Sequence, residues 1–163
     1  MLDNNGIENQ VQQDFQEALR TAFLRKARSW LGRGCNDLLS FREVFVHLKN
    51  QQQFNRGVQL VSLNQIVGST GRSSDFDLAF YPRQNTGKDR WVNVAKAQNQ
   101  GSKLPPILLY KVGEAYFVED GNHRVSVARA NGITTIQANV IEFDVSNLTP
   151  EPACTRLGYK LKA

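Results

Sequence analysis

The chain has 163 residues, of which 40% are apolar and 21% charged, and this length and composition suit one ordinary globular core. No stretch approaches the roughly 20 apolar residues that a membrane-spanning helix requires, and the N-terminus has neither the charged nor the apolar region of a secretory signal. Cys35 and Cys154 lack the paired spacing of a metal site, so we expect reduced thiols in a cytoplasmic protein.

A long amphipathic helix is the first predicted element. Its apolar residues recur at spacings of three and four: Val11, Phe15, Leu19, Ala22, Phe23, Ala27, Trp30 and Leu31. Such a stripe must be buried, either against the rest of the chain or against a second copy of the same helix. Gly32 and Gly34 end this helix.

A second, shorter helix follows after Asn36 or Asp37, its predicted cap. Its apolar residues are Leu38, Leu39, Phe41, Val44, Phe45 and Leu48. Two helices joined by a short glycine turn predict a helical hairpin over residues 1–50. We favour packing or homodimerisation through these helices over a DNA-reading helix-turn-helix, because the second helix offers few base readers: Arg42, His47 and Lys49.

The hairpin carries a cluster of basic residues in a sequence with a formal net charge of +5. Clustered lysine and arginine side chains collect phosphates and release counterions, so the cluster is a candidate DNA-binding surface. Its members are Arg20, Arg25, Lys26, Arg28 and Arg33. The alternative is a basic surface that is merely solvated.

Residues 51–57 are polar and aperiodic, which predicts a connector to the main domain. Val58 and Leu60 then belong to a first strand. The glycine- and serine-rich loop at residues 68–72 ends in the guanidinium of Arg72. It is not a phosphate-cradling P-loop, because the Gly-Lys-Ser/Thr ending and the helix after it are absent.

Two carboxylates flank Phe76 in the next segment. Asp75 and Asp77 are one residue apart, a spacing that suits Mg²⁺ when substrate phosphates supply further oxygens. We favour the alternative, in which one aspartate caps a backbone N–H in a turn and Phe76 is buried.

A third helix begins at Lys88 and breaks at Gly101. The prolines at 105 and 106 force an extended backbone, and the apolar residues 107–110 after them predict a strand buried on both faces. Residues 135–141 alternate between apolar and polar and close the sheet.

Residues 115–132 combine a short apolar run with a helical pattern, which predicts a strand, a tight turn and a helix that ends at Gly132. Such a turn leaves backbone N–H groups free at the start of the helix, where the helix dipole favours an anion. The residues of the turn and the first helical turn are Asp120, Gly121, Asn122, His123 and Arg124. The alternative is structural: Asp120 caps the helix, and His123 and Arg124 pair with carboxylates.

These residues also resemble a known family. Residues 120–125, Asp-Gly-Asn-His-Arg-Val, are similar to the Gly-x-His-Arg or Gly-Glu-Arg-Arg box of the ParB/sulfiredoxin superfamily, which includes the N-terminal domain of ParB chromosome-partition proteins. Residues 101–109 resemble its Gly-x-x-x-Pro-Ile-x-Val strand. Residues 63–66, with Arg72 and Phe76, resemble its opening strand, short helix and arginine.

The resemblance implies a ParB/sulfiredoxin-like α/β (α+β) domain at residues 57–143, with a small mixed sheet and short flanking helices. The helical hairpin precedes this domain and a tail follows at residues 144–163. The resemblance further implies a nucleotide, CTP or ATP, with Mg²⁺ as a candidate companion. Its phosphates would contact Gly121, Asn122, His123 and Arg124, with Arg72 facing them across the cleft.

The sequence departs from two members of this superfamily. In sulfiredoxin the residue before His-Arg is the catalytic cysteine, and here it is Asn122, so we set that activity aside. ParB partition proteins carry a helix-turn-helix domain after the box, whereas only about twenty residues follow Phe143 here. We therefore do not expect a complete partition clamp.

Three functions remain open. The leading hypothesis is a ParB-like nucleotide- or phosphate-binding module that is DNA-associated or regulatory. The alternative is an enzyme of phosphoryl chemistry, a small-molecule kinase or a nuclease, with Glu119 or Asp120 as base or Mg²⁺ ligand and His123 stabilising charge. The third is a structural adaptor with a degenerate site. An enzyme needs a carboxylate within reach of the phosphate, whereas a binding module needs only donors.

Overall fold

A computed structural model describes residues 4–32, 37–48 and 50–146, apart from the side chains of residues 4, 28–32, 43 and 47. The helices are α1 (Asn4–Gly32), α2 (Phe41–Leu48), α3 (Lys88–Asn99) and α4 (Asn122–Ala130), and a single 3₁₀ turn spans Leu63–Gln65. The strands are β1 (Leu39–Ser40), β2 (Gln53–Ser62), β3 (Ile66–Ser69), β4 (Ile107–Val112), β5 (Ala115–Asp120) and β6 (Thr135–Phe143).

The strands form one six-stranded mixed sheet in the order β1-β3-β5-β4-β6-β2. β1, β3 and β5 run parallel to one another, as do β4 and β6, whereas β4 is antiparallel to β5 and β2 is antiparallel to β6. Ser69 lies opposite Val118. The segments that follow β3 and β5 therefore begin side by side at the carboxyl ends of these two strands. In open α/β sheets, ligands usually bind at the carboxyl ends of the strands. The predicted α/β class with a mixed sheet is confirmed.

Helices cover both faces of the sheet at its central strand β5. Alternate residues of this strand point to opposite sides. On one face, Tyr116 and Val118 of β5 pack with Val125 of α4. On the other face, Phe117 packs with Phe41 of α2. The near-continuous apolar pattern of β5 follows from this double burial.

The first half of α1 packs on α3. Val11, Phe15 and Ala18 share an apolar cluster with Trp91, and the rings of Phe15 and Trp91 meet edge to face with centroids 5.4 Å apart. Phe23, however, is 71% exposed, so the stripe is not buried against the rest of the chain at this residue, and its burial against a second copy stays a prediction. At about 1.5 Å per residue, a 29-residue helix is far longer than the 12-residue α3, so its second half extends beyond that partner.

The two predicted N-terminal helices are present, but their packing differs from that of a hairpin. Phe15 of α1 lies in the cluster formed with α3, whereas Phe41 of α2 packs against the opposite face of the sheet. Between the helices, β1 joins the sheet with Leu39 opposite Gly68. Leu39 was assigned to the second helix because a two-residue strand is too short to show a period of its own.

The predicted connector at residues 51–57 is largely strand, since β2 begins at Gln53 and pairs with β6 from that residue onward. Most of its side chains are exposed, and β2 is an edge strand of the sheet. Backbone pairing holds such a strand without an apolar pattern.

Some predictions fall outside the described part of the chain: the turn residues Gly34 and Asn36, the basic Arg33, both cysteines, Lys49 and the tail beyond residue 146. The side chains of Arg28, Trp30, Leu31 and His47 are also outside it. The domain limits at residues 50, 57 and 143 stay predictions. Among the described helices, none has the length and apolar character needed to cross a membrane.

Candidate functional site

The turn between β5 and α4 depends on Gly121. Its φ of 107° lies in the left-handed region, and a Cβ there would lie 2.4 Å from Cγ2 of Ile107. The first helical hydrogen bond runs from the N–H of Val125 to the carbonyl of Gly121 at 3.0 Å. Among the described residues, no side chain caps the N-terminus of α4. The predicted alternative, in which Asp120 caps this helix, is therefore wrong. The first-turn N–H groups have no intrahelical acceptor.

A cleft of about 480 Å³ opens at this helix N-terminus. It brings together all seven residues that the sequence assigned to the site: Arg72, Glu119, Asp120, Gly121, Asn122, His123 and Arg124. It also contains residues that the sequence reasoning missed: Thr70, Gly71, Arg90, Asn93 and Val94. The roles of all these residues toward a ligand stay predictions.

The missed residues come mainly from α3. Arg90, Asn93 and Val94 line the cleft at a spacing of three and four, so they occupy one face of that helix. The available signal was the polar pair Arg90 and Asn93 beside the apolar residues that pack with Trp91. That signal alone does not show which distant segment a helix faces.

His123 lines the cleft and is partly exposed, but its ring nitrogens are covered by protein. Its two ring nitrogens are buried and have no hydrogen-bond partner among the described residues. The ring meets Phe76 edge to face at 5.4 Å between centroids, and a Cβ at Gly87 would lie 2.8 Å from its Cε1. Burial, and then the nearby guanidinium groups of Arg72 and Arg90, lower the pKa of His123 from 6.5 to about 4, against an opposing effect of Asp75.

Arg72 stands at the end of β3 on the cleft wall. Its backbone N–H donates to Oγ of the buried Ser69 at 3.3 Å, and Ser69 in turn donates to the carbonyl of Val118 at 3.3 Å. The Arg72 guanidinium donates to Asp75 at 3.0 Å, in a pair whose side chains are 36% and 28% exposed. Exposed pairs of this kind are weak, so the guanidinium is available to a stronger anion.

Arg124 is engaged in the scaffold of the cleft. Its guanidinium donates to the carbonyls of Pro105 and Pro106 and to the carboxylate of Asp120, and its side chain is 14% exposed. These bonds tie the first turn of α4 to the segment that leads into β4. Of the predicted structural alternative, the pairing of Arg124 with a carboxylate is present, whereas His123 has no such partner among the described residues. Arg124 also lines the cleft.

The carboxylates occupy different environments. Glu119 and Asp120 are exposed at the cleft, and Asp120 is paired with Arg124. Asp77 is fully buried outside the cleft lining, and its Oδ1 accepts the N–H groups of Ala79 and Tyr81 at 2.9 Å each. The favoured turn interpretation of Asp77 therefore agrees with the structure, as does the burial of Phe76.

No three His, Cys, Asp or Glu side chains in the described ranges are grouped closely enough to hold a metal ion. Mg²⁺ that is bound by one carboxylate and by ligand phosphates needs no such group. This observation therefore leaves the Mg²⁺ prediction untested.

The basic residues of α1 do not form one uniform surface. Arg25 is 41% exposed at its side chain, and its Nε donates to Oδ2 of the buried Asp77 at 2.8 Å. Arg20 and Lys26 are exposed. DNA binding through this helix stays a prediction, and so does homodimerisation.

Comparison with known proteins adds little. No family model and no curated protein matches the chain. Among solved structures, sulfiredoxin from Arabidopsis thaliana is similar, with 18% sequence identity and a TM-score of 0.39, over 51% of this chain and 82% of that one. At this identity and this TM-score, the similarity does not indicate what the chain binds.

Proposed function

We propose that this chain is a phosphate-directed binding module that holds a nucleotide, CTP or ATP, in the cleft at the N-terminus of α4. One observation carries the proposal. Arg72 from the loop after β3 and Arg90 from α3 converge with the uncapped N-terminus of α4 on a single cleft. Three unrelated segments thus direct positive charge or N–H dipoles at one space.

An anion accounts for this arrangement better than a structural role does. Two guanidinium groups close enough to lower the pKa of the same imidazole repel one another, and a phosphate between them would relieve that repulsion. A helix N-terminus adds free N–H donors and a favourable dipole. The cleft volume of about 480 Å³ lies within the range of small-molecule sites, roughly 300–1,000 Å³.

A binding module needs only donors, whereas an enzyme also needs a carboxylate near the phosphate. Glu119 and Asp120 both line the cleft, and Asp120 is paired with Arg124, so the catalytic alternative is tested separately. None of the residues that line the cleft is a cysteine, so no thiol chemistry is proposed. Phosphoryl transfer from each nucleotide to a small-molecule hydroxyl acceptor tests the kinase alternative, and cleavage of DNA or RNA tests the nuclease alternative, each measured with and without Mg²⁺.

Isothermal titration against CTP, ATP, ADP and GTP, with and without Mg²⁺, tests the proposal. Arg90→Ala should weaken binding about ten- to a hundred-fold, because a charge-assisted contact contributes about 1.5–3 kcal/mol. Arg42→Ala is the matched control, since Arg42 is also exposed but belongs to α2 on the opposite face of the sheet. If no nucleotide binds, or if both variants bind like wild type, the cleft is not a nucleotide site.

A further inference from the structure

One segment encloses His123. Residues 75–87, here called the covering segment, contribute the Phe76 ring on one side of the imidazole and the backbone of Gly87 on another. At Gly87, an added Cβ would lie 3.2 Å from Nε2 of His123. Both ring nitrogens are buried and without a partner among the described residues. Leaving buried polar atoms unpaired is costly, so the closed arrangement must be stabilised from elsewhere.

Asp77 organises the covering segment. Its Oδ1 accepts the N–H groups of Ala79 and Tyr81, and its backbone N–H donates to the carbonyl of Tyr81 at 2.9 Å. The same turn holds Phe80 at a φ of 61°, an unfavourable value for a bulky residue, with its side chain completely buried. The carboxylate thus joins backbone groups of the segment that other bonds, such as that from the N–H of Arg83 to the carbonyl of Asp75, do not reach.

The counter-charge for Asp77 comes from α1. Asp77 is 1% exposed at its side chain, and its second oxygen accepts Nε of Arg25 at 2.8 Å. A buried carboxylate whose partner is removed is strongly destabilised. Two contacts therefore connect α1 to the site. Arg25 of α1 pairs with Asp77, and Phe76, the neighbour of Asp77, contacts the ring of His123.

We infer that Arg25 and Asp77 are a positioning pair through which α1 holds the covering segment closed over His123, and so controls the access of an anion to the imidazole. The statement about access rests on the proposed function, whereas the closure of the segment does not. Any partner that draws Arg25 away from Asp77 would open the site. α1 then controls the access to His123 and not the rest of the cleft.

Arg25→Met in the full chain removes the pair, and Lys96→Met is the matched control. Lys96 pairs with Glu8 of α1 at 2.7 Å, so this control also removes an ion pair of α1, but one between two residues outside the covering segment. NMR titration reads the imidazole directly, because the chain has two histidines and His47→Gln assigns the signals. Arg72, Arg90 and Asp75, the charged groups that act on His123, are present in every variant.

The expected result is a pKa of His123 that stays low, about 4, in wild type and in Lys96→Met, and rises toward 6.5 in Arg25→Met. Inorganic pyrophosphate should bind Arg25→Met several-fold more tightly at about pH 6, because an accessible imidazole then supplies a charged donor. An unchanged titration curve in Arg25→Met would overturn the inference.

If Arg25→Met does not fold, the double variant Arg25→Met/Asp77→Asn gives the same readout without a stranded charge. Its asparagine Oδ1 still accepts the two backbone N–H groups, but the link to α1 is lost. A shifted pKa without pyrophosphate binding in any variant would support the positioning pair and refute the phosphate site. The two claims thus fail separately.

Discussion

Acidification should destabilise this protein through His123. The pKa of this imidazole is lowered from 6.5 to about 4 in the folded state, first by burial and then by Arg72 and Arg90. The folded protein therefore binds the proton more weakly than the unfolded chain does. The stabilisation from neutral His123 is fully present above pH 6.5 and is lost as the pH falls toward about 4.

The size of the effect follows from the two pKa values. At about 1.4 kcal/mol per pKa unit, the difference between 6.5 and about 4 corresponds to about 3 kcal/mol. His123 is partly exposed as a residue, although its nitrogens are covered, so solvent screening reduces this figure to about 1.5–3 kcal/mol. This is a large share of the stability of a small domain, about 5–15 kcal/mol.

Urea denaturation at several values between about pH 7.5 and about pH 4.5 measures the effect. Carboxylates also titrate in this interval, so the informative quantity is the difference between wild type and His123→Gln. The free energy of unfolding of wild type should fall more than that of the variant by about 1.5–3 kcal/mol. Parallel pH profiles for the two proteins would refute the reasoning, since the imidazole would then titrate alike in both states.

Two further predictions concern packing around the site. Phe15→Ala should cost about 3–5 kcal/mol, whereas Phe23→Ala should change stability by less than about 0.5 kcal/mol, because Phe15 is 1% exposed against Trp91 and Phe23 is 71% exposed. Equal losses in thermal or urea unfolding would contradict the packing of α1. Arg124→Ala should cost about 1–3 kcal/mol, because the carbonyls of Pro105 and Pro106 lose a charged donor. An unchanged midpoint in this variant would show that those bonds contribute nothing.

The turn at Gly121 was predictable because its signals are local. An apolar strand, a glycine and a helical pattern occur within eighteen successive residues, and each follows from backbone and side-chain sterics. The juxtaposition of Arg72 with this turn came from the family resemblance, and the parallel pairing of β3 and β5 explains it. The residues predicted from the local pattern and Arg72, predicted from the resemblance, thus line the same cleft.

The contribution of α1 was not predictable in the same way. Periodicity shows that a helix has an apolar face, but it does not show what that face meets or where the partner ends. Arg25 is therefore grouped by sequence with the candidate DNA-binding residues, although it pairs with Asp77, 52 positions away. Arg90 was missed for the same reason, since its role depends on how α3 lies over α4.

The unequal edges of the sheet affect how this protein tolerates high concentration. β1 offers only two residues at one edge, whereas β2 exposes a ten-residue strand at the other. A long open edge is a template for strand addition and aggregation. The register shift between Asn55 and Gly57 interrupts this template, and Arg56 places a charge beside it. Residues 58–62 continue the regular edge strand after this shift, and the side chains of Val58 and Leu60 are exposed there. A charged residue at either position should reduce strand addition along this edge.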